Sequence, residues 1–537
     1  MTGKSRILLA QNALGVLAGI APRDARKLSP RLRTSLKKFN RTLTGTGFAI
    51  IMMLTGCAVG PDFRAPEPPE VTGYLGRSDA IDRATPRVVP GDLPSRWWEL
   101  FRSRALNRLI EEGIEHNADL KSAEAAIRVA YANAKAARGS LFPAVDGSFN
   151  PTRQQVAPCC NTSQPPNGEN LYTLVTAQLS VSYTLDVWGG IRRQVEAADA
   201  LAEVAEFQRE ATYLTLTSNI ALAAISEASL RGQIAATQRI IGLQTNLLGI
   251  MRKQVEAGQI AAPDVAQQET ALAQAQLLLP PLEKQLFQQR HLLSVLTGRF
   301  PSDGVGSIFA PNSLSMPHRI PLTLPASLIL QRPDIRVAQA NMRQANAQVG
   351  VAIANRLPNI TLSGNVGSQA MAMAQLFGPQ TGLWTIAGNL AQPIFNAGTL
   401  KNKQVAAEET FNQVAETYRG VVLTAFQNVA DALRALQADT KALAAATAAE
   451  RAAARSFELT QKQIERGQYS VQTLLTAQQA FLQTSIARVQ SEAQLLSDTV
   501  LLFQALGGGW WNRPDPVPTA VEGVIVTEPV QKPDVTK

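Results

Sequence analysis

The chain has 537 residues, 45% of them hydrophobic and 17% charged, with a formal net charge of +9 and an isoelectric point near 9.6. The basic excess belongs to the N-terminus: residues 1–56 carry ten basic side chains against Asp24 alone, which leaves 41 basic and 41 acidic residues in 57–537. A neutral mature chain takes away the footing for nucleic-acid binding, and the absence of a Gly/Ser or charged linker through the middle favours one elongated unit over a string of domains.

Lys37, Lys38 and Arg41 form a basic stretch, Phe48 to Leu54 a short apolar one, and Leu54-Thr55-Gly56-Cys57 follows at once. Residues 1–56 therefore read as a secretory signal, too short in its apolar part to span a membrane as a helix. The four-residue ending resembles the bacterial lipobox, in which the cysteine takes a diacylglycerol and the cut falls just before it. Cys57 is thus the expected first mature residue and site of lipidation, and Ala58 in place of an aspartate implies sorting to the outer membrane. A signal cleaved elsewhere, with Cys57 there by chance, is the weaker reading. No methionine lies between Met1 and Met52, so an internal non-Met start stays open. Residues 57–95, rich in proline, are expected to form an extended arm.

Asp119-Leu120 and Pro143 recur as Asp334-Ile335 and Pro358 at a common offset of 215, so the chain is read as two repeats, 96–310 and 311–509, with a Pro-rich tail from 510. In each, an Ala-rich helix (120–139; 335–355) leads through Phe142-Pro143 or Leu357-Pro358 into alternating strands. The first hairpin, 145–187, ends in Leu171 to Val187, where odd positions from Leu171 through Val175, Leu179 and Val181 are mainly apolar while Thr176, Gln178, Ser180 and Ser182 are polar. At about 3.3 Å per residue this strand spans roughly 55 Å, more than a hydrocarbon core of about 30 Å requires. An apolar outer face and a wet inner one follow; an ordinary sandwich strand is the alternative. The second hairpin, 359–396, alternates likewise.

Both hairpins exit through Gly turns into helical hairpins, 191–298 and 399–506. No proline interrupts 191–257 or 399–466, so each long helix rises roughly 100 Å and each return helix (263–298; 471–506) about half of that. Each long helix is expected to lie beside two short ones stacked end to end, a helical wall hung below a sheet. A soluble coiled-coil rod would leave the strands unexplained. Four strands cannot close a barrel, and open edges in lipid would leave backbone groups unpaired at several kcal/mol each. Several copies must share one barrel.

Cys57-Ala58-Val59-Gly60-Pro61-Asp62-Phe63, Trp97-Trp98-Glu99-Leu100-Phe101, Asn117-Ala118-Asp119-Leu120, Gln331-Arg332-Pro333-Asp334-Ile335, Leu357-Pro358-Asn359-Ile360 and Pro393-Ile394-Phe395 resemble the TolC-like outer-membrane efflux proteins, specifically their NodT/OprM lipoprotein branch. The resemblance covers nearly the whole mature chain. It implies an α+β membrane protein and a homotrimer, four strands per chain in a shared twelve-stranded β-barrel continuous with a long periplasmic α-helical barrel. It further implies an exit duct for drugs or other small toxic compounds, joined through a periplasmic adaptor to an inner-membrane resistance-nodulation-division (RND-type) transporter and embedded in outer-membrane lipid. A duct for type I protein secretion and a non-conducting structural lipoprotein are the alternatives.

No enzyme is expected. His116, His291 and His318 lack metal-ligand spacing, no complete Walker-type Gly-x-x-x-x-Gly-Lys-Ser/Thr motif occurs, and no cofactor is expected beyond the covalent lipid on Cys57. Cys159-Cys160 leave a vicinal disulfide, an interchain bridge or no function open, the last being preferred. Trp97-Trp98 are read as packing the arm on the tunnel rather than as an interfacial anchor, and Trp510-Trp511 as part of an irregular end.

The far tips turn at related sequences, Gln254 to Gln259 and Gln463 to Gln468, with Gly258 and Gly467 suited to helix C-caps. By resemblance the adaptor docks at such tips, here Gly258, Gln259, Arg466, Gly467 and Gln468, and an acidic constriction shuts the resting channel. Thr473 and Thr476 stand where some relatives carry aspartates, so Asp264 is the candidate gate, or else only the acidic start of a return helix.

Overall fold

The computed structural model describes residues 58–68, 71, 73–74, 87–155, 170–310, 313–317, 319–322, 325–464 and 470–514. Cys57, Cys159, Cys160, His318, Arg466, Gly467 and Gln468 lie outside them. In the first half β1 (Arg87–Pro90) and a 3-10 turn (Trp97–Phe101) lead to α1 (Arg104–His116) and α2 (Ala118–Gly139). The hairpin β2 (Ala144–Gln155) and β3 (Leu171–Leu185) follows, then α3 (Gly190–Glu256), α4 (Ala262–Leu277) and α5 (Leu279–Leu296). The second half runs β4 (Arg319–Leu322), α6 (Pro325–Gln331), α7 (Pro333–Ala354), the hairpin β5 (Asn359–Ala370) and β6 (Gly382–Ala391), α8 (Thr399–Ile464) and α9 (Val471–Ala505).

The two hairpins join into one antiparallel sheet in the order β2-β3-β5-β6. Directly opposed residues of an antiparallel pair share a face, so the register sorts the sheet by polarity. One row reads Gly147, Leu179, Val366, Trp384, and another Val145, Val181, Gly364, Ile386. The row between them, Asp146, Ser180, Asn365 and Thr385, is wholly polar and faces the other way. The alternation expected of single strands is thus in phase across all four.

Below the sheet the helices form the expected wall. α3, 67 residues long, rises about 100 Å with α2 beside one half and α4 and α5 beside the other, while α8 is flanked by α7 and α9. Side chains close the helix ends: Asn117 Oδ1 accepts from the Leu120 amide at 3.0 Å, and Ser470 Oγ from that of Thr473 at 3.4 Å. The first return helix is not the single unit expected over 263–298. It divides at Leu278 into α4 and α5, because Pro280 and Pro281 have no N–H with which to continue the helical ladder. α9 has no proline and runs unbroken for 35 residues.

Where the halves meet lies the main core. Trp97, Trp98 and Phe101 are fully buried there with Phe503, the Trp97 and Phe503 rings 5.6 Å apart, so the tryptophan pair packs the arm on the helices as expected. β1 pairs in parallel with β4, a contact that sequence reading missed. The end of the second repeat also differs from expectation. Trp510–Asn512 form a 3-10 turn rather than an irregular tail, with Trp510 Nε1 donating to the Gln331 carbonyl at 2.6 Å and Asn512 Nδ2 to that of Leu93 at 2.9 Å. Residues 515–537 lie outside the described part. Trp97→Ala is expected to destabilise the protein by about 3–5 kcal/mol through the cavity it leaves, read as a lowered thermal midpoint of the purified protein.

Candidate functional site

The sheet presents two surfaces that one chain leaves uncovered. On the apolar face Leu179, Val366, Trp384, Ile386 and Leu390 are exposed; the opposite face carries hydroxyls and amides. No described helix is long and apolar enough to cross a membrane; the exposed apolar row makes this face of the sheet a surface suited to lipid. β2 and β6 are its edges, each with a row of unpaired backbone donors and acceptors.

At the base of the sheet, where β3 turns into α3, the chain immediately after Cys57 is seated in a built slot. The Val59 amide donates to the Trp188 carbonyl at 2.9 Å. Arg193, its side chain 5% exposed, donates to the carbonyls of Val59 (3.2 Å) and Gly60 (3.3 Å) and to Asp62 (2.8 Å), and is balanced by Glu196 at 2.7 Å. Asn346 Nδ2 holds the Pro61 carbonyl at 2.8 Å. Close approach requires glycine here: a Cβ on Gly189 would stand 2.6 Å from the Ala58 Cα, and one on Gly350 2.9 Å from the Val59 oxygen. Trp188, partly exposed, donates through Nε1 to the Pro358 carbonyl at 2.8 Å and ties the two hairpins together. Arg193, Asn346 and Gly350 were not singled out from sequence, since nothing in their spacing marks a partner more than 130 positions away.

At the opposite end α3 closes as the sequence suggests. Gly258 has φ +72°, the Gln259 amide donates back to Gln254 at 2.8 Å and that of Gly258 to Val255 at 2.9 Å. This is the paired-bond helix ending that a left-handed residue permits. Asp264 sits half-buried in the first turn of α4 with Pro263 before it, close to the positive end of the helix dipole. The two tip regions are not brought together within the described residues, because 465–469 fall outside them. Nearby, a cleft of about 370 Å³ between α8 and α9 is lined by Ser456, Thr460, Gln472, Thr473, Thr476 and Ala480, so the two threonines contribute hydroxyls where carboxylates were considered.

Higher on the same seam Asp439 of α8 meets Asp498 of α9. Burial, and then the hydrogen bond and repulsion from the Asp498 carboxylate, push the Asp439 carboxyl up to about 7. Gln494 donates to both Asp498 oxygens at 3.2 Å. His116 ends α1 and His291 lies on α5, and no cluster of metal-ligating side chains occurs among the described residues.

A sequence model of the outer membrane efflux protein family matches residues 109–299 and 324–508, each stretch carrying one strand hairpin and one helical hairpin. The chain belongs to the outer membrane efflux protein family. The efflux protein is 30% identical over 417 residues to the pyoverdine export outer membrane protein OpmQ of Pseudomonas putida, covering 77% of this chain and 88% of the relative. It is 29% identical over 466 residues to the antibiotic efflux pump outer membrane protein ArpC of the same species, covering 86% and 94%. Its fold matches the outer-membrane channel OprN with a TM-score of 0.76 at 25% identity, over 84% of this chain and 100% of the other. It likewise matches the Campylobacter jejuni channel CmeC with a TM-score of 0.77 at 23% identity, over 86% and 96%. The TolC-like fold, the outer-membrane location and the role of exit duct in an efflux system, all anticipated from sequence, are borne out.

The acid pair in the efflux protein gives a signed expectation. A carboxyl raised from 3.8 to about 7 binds more protons folded than unfolded between those values, so its stabilising contribution is complete below the lower value and lost as pH rises through the upper. Asp439→Asn is expected to flatten the fall in thermal midpoint between about pH 5 and about pH 8, measured by differential scanning calorimetry.

Proposed function

We propose that three copies of this efflux protein close their four-stranded sheets edge to edge, β6 of one against β2 of the next, into a twelve-stranded barrel. The helical walls continue it as a tunnel through the periplasm. The observation that carries this reading is the in-phase sheet with one apolar face, one polar face and two free edges. Three copies leave a lumen, whereas about eight strands would fill theirs with side chains. Exposed Leu277, Phe287, Val295 and Phe300 along α4, α5 and the turn after them offer apolar surface for a neighbouring copy to cover. The duct has no enzymatic activity of its own and needs no cofactor. An RND-type transporter of the inner membrane supplies the energy and a periplasmic adaptor seals the junction.

The substrates are small molecules, a class supported by relatives named for pyoverdine, antibiotic, toluene and solvent export or efflux; a wide wet lumen leaves selection to the pump. In this reading Cys57 is lipidated, which the seating of Ala58 and Val59 against Trp188 and Gly189 at the base of the sheet supports, since acyl chains on the preceding residue would start beside the lipid-facing band. The turns at Gly258, Gln259, Arg466, Gly467 and Gln468 form the ring on which the adaptor docks, and Asp264 lines the resting constriction.

A detergent-solubilised particle is expected to have the mass of three chains; the mass of one would overturn the shared barrel. Cys57→Ser should lose the diacyl mass while the trimer survives. Gly258→Val, which asks a β-branched residue to adopt a left-handed backbone at a cost of about 1–2 kcal/mol, and Gly467→Val should each abolish efflux at normal trimer abundance. Normal export by both would show that the tips are not the docking surface. Asp264→Ala should change resting conductance in planar bilayers, and an unchanged trace leaves the residue as a helix cap.

A further inference from the structure

The turn between β5 and β6 carries no charge. Residues 371–381 read Met-Ala-Met-Ala-Gln-Leu-Phe-Gly-Pro-Gln-Thr, and not one charged residue occurs from Leu357 to Leu400, between Arg356 and Lys401. The first hairpin, by contrast, carries Asp146, Arg153, Glu169 and Asp186. The helices join the sheet at the opposite end of the strands, so this turn lies at the outer mouth.

The turn is internally tied and has a definite lean. Ser368 Oγ donates to the Leu376 carbonyl, Thr381 Oγ1 donates to that of Gly378 at 2.8 Å, and the Gly378 amide to that of Gln375 at 2.9 Å. Leu376 is buried against Val175 and Ala370, which stand opposite each other in the register. By two-residue alternation they share the face of Leu179 and Val366. The turn therefore folds down over the apolar face and away from the polar one, and it leaves Met373 63% and Phe377 83% exposed.

We propose that this turn is a lipid-surface foot: Met373 and Phe377 enter the boundary between headgroups and acyl chains of the outer leaflet, and the polar mouth stays uncovered. Three observations favour lipid as the occupant. The foot is continuous with the apolar band and begins beyond Trp384, a side chain suited to that boundary. Its lack of charge removes the desolvation penalty that an ionised loop would meet there. Its internal hydrogen bonds hold the apolar side chains in place, so little ordering is left to the moment of contact. The inference rests on the reading that the apolar face of the sheet meets lipid.

The test uses the full-length protein with Cys159 and Cys160 changed to Ser, in vesicles of phosphatidylethanolamine and phosphatidylglycerol. A nitroxide is placed at Phe377→Cys, at Ile386→Cys on the apolar face, or at Thr385→Cys on the polar face, and its collisions with oxygen and with a water-soluble nickel chelate are compared. Labels at 377 and 386 are expected to favour oxygen and the label at 385 nickel. Nickel preference at 377 with oxygen preference at 386 overturns the foot and leaves the barrel reading standing; nickel preference at 386 overturns the barrel reading itself. A label at 377 reached by neither probe means that a neighbouring copy covers the turn, which also overturns the foot. In a separate variant, Met373→Ser with Phe377→Ser, single-channel conductance is expected to match the parent, and a change would place the turn over the lumen.

Discussion

A β-sheet in hydrocarbon cannot keep an edge. Each N–H and C=O left unpaired in lipid costs several kcal/mol, and this chain has the two edges β2 and β6. A second constraint acts through the register, since slipping one strand by a single residue would turn its apolar side chains onto the polar face. The chain answers both with strands of 10–15 residues whose apolar positions line up across every pair. What remains is the pair of edges themselves, the feature on which the proposal of a shared barrel rests.

The helices inherit their arrangement from that sheet. Both hairpins send their chain ends to the same side, so all helical mass hangs from one rim. Two helices of about 100 Å then need shorter ones to cover their apolar stripes, and the short helices before and after the strands divide that work. The deepest burial falls where the halves meet, around Trp97, Phe101, Ile220 and Phe503. Toward the tip burial thins: α4 buries only Gln268 and Ala275. The mass of the core thus sits near the membrane, and the far end is a slender wall.

The elements governed by short-range periodicity were legible. Alternation from Leu171 onward and the proline-free stretches marked strands and long helices within a few residues of their observed ends, and the glycine of Gln254 to Gln259 marked its turn. What escaped was set by contacts distant in sequence. The parallel pairing of Arg87–Pro90 with Arg319–Leu322 joins segments too short to carry a pattern. The 3-10 turn at Trp510 is held by carbonyls of Gln331 and Leu93, and Arg193 reads as one more helix-surface charge until its carbonyl partners are seen. Two misses were readable after all: Pro280-Pro281 states the break in the return helix, and the charge-free run from Leu357 to Leu400 sets the second hairpin apart from the first.

The slot that receives residues 58–62 has an implication for the order of events. Its walls come from both halves, Gly189 and Arg193 from the first and Asn346 and Gly350 from the second. Residues 58–62 therefore have no seat until residues almost three hundred positions later have arrived and packed. Closing so long a loop before its partners exist would bring an entropic cost and no contacts in return. This segment is made early and placed late. It acts as a clasp that fastens the first half of the protomer to the second.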